Sequence, residues 1–205
     1  MKLILIGSST GGPNQLKFLL KDIDVKNTCV VIAQHQLKFL LKDIDVKNTC
    51  VVIAQHMSAS FIPSFVGQFN KEAFSEVCLL NDKEILSNKI YICPKNTILS
   101  GNLNIVAAWQ DVASSFKPSV DLLFHSAVSL AKTNKILAII LTGMGDDGAK
   151  GLFELYKTGV RCLCENEADS VVYGMPKRAK DMNPHLKPMS LKEIKKEIVN
   201  FIDQD

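Results

Sequence analysis

This 205-residue chain has no C-x-x-C pair, no Cys/His spacing suited to a metal and no massed charge of one sign, and each absence removes a class of function. Its six cysteines lack ligand spacing and read as buried reduced thiols rather than a metal site or a disulfide framework; Cys29 and Cys50 are copies of one position. The 24 basic and 21 acidic residues leave a net charge of only +3, with the lysines scattered, so no electrostatic footprint for nucleic acid exists. The one basic cluster, KEIKKE at 192–197, reads as a solvated helix face. Long apolar runs are missing as well. MKLILIGSSTGG breaks at a glycine-rich turn after about five residues, too soon for a signal sequence or a membrane span. The chain is therefore expected to be cytoplasmic, without membrane insertion, nucleic-acid partner, metal or cofactor. No Pro- or Ser-rich linker divides it, and the length suits one well-buried core, so a single domain over 1–205 is expected.

What is present in excess is a repeat. QLKFLLKDIDVKNTCVVIAQH fills 15–35 and recurs, identical at all 21 positions, at 36–56. Two copies do not make a solenoid.

Elsewhere, apolar runs alternate with helical spacing. KLILI at 2–6, TCVVIAQ and KILAIILTG at 135–143 read as buried parallel strands. KIYIC at 89–93, LNIVAAW at 103–109 and RCLCE at 161–165 read as further strands, with NTILSGN at 96–102 as a turn between two of them. Helices are expected through QLKFLLKD, over 60–73, from Pro118 through SVDLLFHSAVSLAK, between the glycines of 143–159, and near 190–203, with YGMPKRA as a loop before the last. The alternation predicts an α/β fold: a doubly wound, mostly parallel sheet with helices on both faces, Rossmann-like, with active groups at the carboxyl ends of the strands.

Three of the strand-end turns carry chemistry. Gly7-Ser8-Ser9-Thr10-Gly11 fits G-x-S-x-G, an elbow that projects its central serine, which selects Ser9 over Ser8. The helix that follows would aim its free N–H groups and positive end at the same point, which favours an anionic intermediate. A plain tight turn or anion-binding loop is the competing reading, although the Walker lysine is missing. A serine nucleophile needs a base and an orienting carboxylate. Of the four histidines, His35 and His56 each follow a buried strand; His125 sits inside the Pro118 helix as a packing or solvent-facing residue, and His185 is a loop candidate. LTGMGDDG at 141–148 supplies Asp147, or else only an Asp-Gly turn that caps the next helix. The order Ser9, Asp147, His185 would follow an α/β-hydrolase triad, whereas Ser9, His56 or His35, Asp147 draws all three members from strand ends and is preferred.

Taken in order, GSSTGGP, AQHM, KIYICP, FKPSVDLLFHS, LTGMGDDGAKG and SVVYGMP resemble the catalytic domain of the chemotaxis protein-glutamate methylesterases, the CheB family. The resemblance covers nearly the whole chain apart from one copy of the repeat. It implies hydrolysis of glutamyl methyl esters on methyl-accepting chemoreceptors, often with deamidation of receptor glutamines. By motif it makes Ser9 the nucleophile, the histidine of AQHM the base, Asp147 its orienter, and the backbone N–H groups of Thr10 and Met144 the oxyanion hole. Departures are the second acid at position 146, the repeat, and a start at the first catalytic strand without the receiver domain common in the family, from which control by phosphorylation in cis is expected to be absent. Another esterase or amidase on the same scaffold, or a catalytically silent receptor-binding module, are the rival readings.

The copies are separated only by their neighbours. Met57 leads from the second copy into the next helix, which favours His56 and leaves His35 as the alternative base. The expected path takes the helix from copy one and the strand from copy two, with residues near 24–45 looped out as an inserted surface segment. Growing a loop from about 5 to about 26 residues costs roughly 1.5 kcal/mol of closure entropy, small against a typical stability of about 5–15 kcal/mol.

Overall fold

A computed structural model describes residues 2–9, 36–102 and 104–204. The apolar run at the start becomes β1, Lys2–Ser9, and the second copy of TCVVIAQH becomes β2, Thr49–His56. The two lie side by side in parallel register, Ile4 opposite Val51 and Ser9 opposite His56. With β3 (Val77–Leu79), β5 (Ile90–Ile92), β8 (Lys135–Ile140), β9 (Arg161–Glu165) and β10 (Pro188–Met189) they form a seven-stranded sheet ordered β10-β9-β8-β1-β2-β5-β3, parallel at every pairing. The order reverses at β1, whose neighbours are β2 and β8, so the crevice of a doubly wound sheet opens at the carboxyl end of β1.

Alternation along the strands divides the core between two faces. Leu3 and Leu5 meet α3 (Val120–Ser126), α4 (Ala149–Lys157) and α5 (Met175–Met182) through Leu123, Phe124, Leu152, Leu155 and Ala179. Ile4 and Ile6 meet the helix at 36–41, here α1, together with α2 (Ile62–Glu72) and α6 (Leu191–Asp203), through Leu37, Leu40, Phe65, Phe69, Ile194 and Ile198. A separate three-stranded antiparallel sheet, ordered β4-β7-β6, joins β4 (Glu84–Ile85), β7 (Ile105–Trp109) and β6 (Thr97–Gly101). Burial pushes the Cys78 thiol up to about 11 and those of Cys93, Cys162 and Cys164 to about 12; these are inert packing groups. Among the described residues no helix is long and apolar enough to cross a membrane.

Four expectations need correction. The segment expected to loop out overlaps the core: α1 is QLKFLL of the second copy, and Leu37, Leu40, Leu41, Ile44 and Val46 are buried. Helix and strand thus both come from copy two, where the connection between them is short and unbroken and closes at the smaller entropy cost. That connection is also tied down, since Ser75 Oγ donates to Ile44 O at 2.7 Å and accepts from Val46 N at 3.0 Å. The first copy, residues 15–35, lies outside the described residues. NTILSGN is not a turn, because Thr97–Gly101 pairs with β7 as β6. The Pro118 helix is interrupted: α3 ends at Ser126 and a 3₁₀ turn covers Ser129–Lys132. YGMPKRA opens α5, with Pro176 in the first turn, where its missing N–H loses no helical bond.

Candidate active site

Ser9 and His56 end adjacent strands, and the alternation that puts Leu3, Leu5 and Cys50, Val52 on the α3 face puts both of these residues on it too. Ser8 and Gln55, one position earlier, are directed to the opposite face. Asp147 reaches His56 from the turn after β8: His56 Nε2 lies 2.7 Å from Asp147 Oδ2, both side chains being largely buried. The His56 ring stacks on Phe116, centroids 5.1 Å apart and planes within 10°, which fixes the plane in which the imidazole meets the carboxylate.

The Asp147 carboxylate is received by the start of α3. Its Oδ2 accepts from Val120 N at 2.7 Å, and its Oδ1 accepts from Asp121 N at 2.9 Å and Ser119 Oγ at 3.2 Å. Burial pushes this acid up, but the bonds from His56, Asp121 and Val120 outweigh it and hold Asp147 below the ordinary aspartate range. It therefore stays ionised and able to hold a charged imidazole. Asp146 is exposed, and the acid of GDDG that meets His56 is Asp147.

The turn between β8 and Asp147 is pinned against Ser9. Ser9 N donates to Thr142 O at 3.0 Å, and Gly143 N donates to Val172 O at 3.0 Å. Gly143 O accepts from Gly174 N at 3.1 Å and Met175 N at 2.7 Å. With that carbonyl held towards α5, the trans peptide directs the Met144 N–H away from α5. Thr10, the other expected oxyanion donor, and His35, the alternative base, lie outside the described residues, as does the start of any helix following GSSTGG. His125 pairs with Glu154 at 2.6 Å on the surface, and His185 stacks on Tyr156, so neither meets Asp147.

Several residues that build the site carry no sequence signal of their own. Ser119 reads as a helix cap, which it is, accepting from Leu122 N at 3.3 Å, but its hydroxyl also serves Asp147. Gly143 has no room for a side chain: a Cβ there would stand 2.7 Å from Ser9 Cβ and 2.2 Å from Met175 Sδ. Gly143→Ala is expected to displace Ser9, slowing ester hydrolysis on the order of a hundredfold and lowering stability by about 1–3 kcal/mol, read from the rate and from denaturant unfolding. An unchanged rate would contradict this close approach.

A hydroxyl, an imidazole and an ionised buried carboxylate gathered at the carboxyl edge of a doubly wound sheet can carry out acyl transfer through a serine nucleophile, the chemistry of the serine hydrolases. Comparison with known proteins supplies the family. The family model of CheB methylesterase matches residues 36–198, beginning at the second copy of the repeat. This chain belongs to the CheB methylesterase family. It is 30% identical over 204 residues to a protein-glutamate methylesterase/protein-glutamine glutaminase of Salmonella typhimurium, matching 97% of the chain and 52% of that protein. A protein of the same name with the suffix 1, from Caulobacter vibrioides, is 32% identical over 97% of the chain and 53% of its own length. The chain thus spans about half the length of the curated relatives it matches. The crystal structure of the Thermotoga maritima CheB methylesterase catalytic domain superposes with a TM-score of 0.78 over 97% of each chain at 22% identity, which establishes the shared fold.

Proposed function

We propose that this chain is a serine hydrolase that removes methyl groups from glutamyl methyl esters of chemoreceptors in chemotactic adaptation, through an acyl-enzyme on Ser9. The observation that carries the reading is the His56–Asp147 contact beside Ser9 at the sheet edge. Because Nε2 faces Asp147, Nδ1 is the nitrogen that acts as base. Ser9 Oγ attacks the ester carbonyl carbon while Nδ1 takes its proton, and the negative oxygen of the tetrahedral intermediate is received by the N–H groups of Thr10 and Met144. The C–O bond to the methoxy group breaks, the proton on Nδ1 passes to it, and methanol leaves. Water then attacks the acyl-enzyme, giving a proton to Nδ1, and the Ser9 oxygen departs with that proton, leaving a glutamic acid side chain that loses its own proton to solvent. The names of the relatives support a second substrate, receptor glutamine, for which the same steps release ammonia.

The chain acts as a single catalytic domain over 1–205. A binding module without activity is disfavoured because the histidine in contact with Asp147 belongs to the copy that is continuous with α1 and with Met57. Its cellular place is the cytoplasm, where the signalling ends of chemoreceptors would meet it. The test is methanol release from methylated chemoreceptors: the chain is expected to liberate it at neutral pH, whereas turnover of simple esters without methanol from receptors would favour another esterase on this scaffold.

A further inference from the structure

Beneath the turn that carries Met144 and Asp147 lies a buried acid that the mechanism above does not use. Glu165 closes β9 with no exposure to solvent. Its Oε2 accepts from the backbone N–H of Thr142 at 2.6 Å, and its Oε1 accepts from Gln36 Nε2 at 2.8 Å. The carbonyl of that same Thr142 holds the N–H of Ser9. A continuous line of hydrogen bonds therefore runs from the nucleophile through one residue to the carboxylate, and from there to the first residue of α1.

We propose that Glu165 is a positioning residue for acyl transfer: its ionised carboxylate, through the Thr142 N–H, fixes the origin of the 142–147 turn against the end of the nucleophile strand. The proposal rests on the reading of Ser9, His56 and Asp147 given above. Thr142 N and Gln36 Nε2 both donate to Glu165, so the carboxylate receives two charge-assisted bonds that protonation of the acid would weaken. One neighbour can respond. Among the described residues Gln36 Oε1 is buried with no hydrogen-bond partner, while Gln36 Nε2 also donates to Asp169 O at 3.0 Å. Protonation of Glu165 is met by turning the Gln36 amide to present Oε1, at the loss of its bond to Asp169, and the Thr142 bond is weakened in the exchange.

The groups that face Glu165 are Thr142 from the end of β8, Gln36 from α1, and Asp169 and Ser170 from the loop after β9; of these only Asp169 carries charge. Burial raises the Glu165 carboxyl to about 7, the Thr142 N–H opposing the shift and Asp169 adding to it. The positioning bonds are complete above that value and are lost as pH falls through it, so the acid side of the rate profile carries a loss of activity that follows Glu165.

The test is the rate at which a small alkyl fluorophosphonate labels Ser9, followed by intact mass and peptide mapping across the acid and neutral range. In the wild type the labelling rate is expected to fall as pH drops through about 7. Glu165→Gln should label roughly ten- to a hundredfold more slowly on the plateau, the scale of loss for a reacting group displaced by up to an ångström, and should lose the part of the acid limb that follows Glu165. Gln36→Met keeps the acid but removes a donor to its charged form, so its limb should move to higher pH; this variant decides the matter if Glu165→Gln does not fold. Profiles of both variants that superimpose on the wild type, with labelling still dependent on His56, would overturn the role of Glu165 and leave the triad standing. Labelling of Ser9 that ignores His56→Ala would bring down the triad, and the role of Glu165 with it.

Discussion

Ser9→Ala is expected to lower methanol release from methylated chemoreceptors on the order of 10⁶-fold while leaving the fold unchanged. The substitution keeps the Cβ that packs against Gly143 and removes one oxygen, so the close contacts at the end of β1 survive. What is lost is the acyl-enzyme itself, and the oxyanion donors alone cannot replace a covalent step. Unfolding by denaturant should coincide with the wild type within about 0.5 kcal/mol, as expected for a change that opens no cavity and strands no buried charge. Methanol release persisting at a comparable rate would mean that Ser9 is not the nucleophile.

Asp147→Asn is the second large effect, a fall on the order of 10⁴-fold in kcat. Among the described residues the groups that hydrogen-bond the Asp147 carboxylate are all donors: Val120 N, Asp121 N, Ser119 Oγ and His56 Nε2. An asparagine can set its oxygen towards Ser119 and Asp121, but its NH₂ then opposes Val120 N–H and the His56 Nε2–H. The imidazole relieves this conflict by moving its proton to Nδ1, which makes Nε2 an acceptor and disables the nitrogen that serves as base. In the opposite orientation the amide oxygen still receives His56 but carries no full charge to hold an imidazolium. Both arrangements are slow for different reasons, and the kcat of methanol release reads their sum. A loss of less than about tenfold would show that the carboxylate is not the partner of the base.

Much of this was legible in the chain. The unbroken apolar runs of β1 and β8 identify central parallel strands because both faces of such a sheet are covered, and the turns that end them drew attention to Ser9 and Asp147. Where the reading failed, the cause lies in tertiary context. Thr97–Gly101 carries turn residues at both ends, and only pairing with β7 makes a strand of it. In YGMPKRA the proline resembles a stop signal and acts as a start because Gly174 lets the chain approach the Gly143 carbonyl. Ser119 and Phe116 acquire their roles at the site only when α3 is brought beneath the β8 turn. Glu165 ends an ordinary strand in sequence and is a buried acid only once Gln36 and Thr142 close over it.

The doubled segment is the sharper case, since two identical stretches carry no local information that could rank them. Sequence context favoured the second copy for the strand and the first for the helix. The second half of that choice was wrong because an intact helix–turn–strand unit closes at less entropic cost than a hybrid of two copies. The second copy supplies Leu37, Leu40 and Leu41 to the core, Gln36 to Glu165 and His56 to Asp147, so one copy provides both α1 and the histidine that meets the buried carboxylate.

The most direct measurement is methanol release from methylated chemoreceptors by His56→Ala and His35→Ala, assayed beside the unaltered chain. Loss of release in His56→Ala with an unchanged rate in His35→Ala is the expected result. Loss in His35→Ala with activity retained in His56→Ala would contradict the catalytic site built on Ser9, His56 and Asp147.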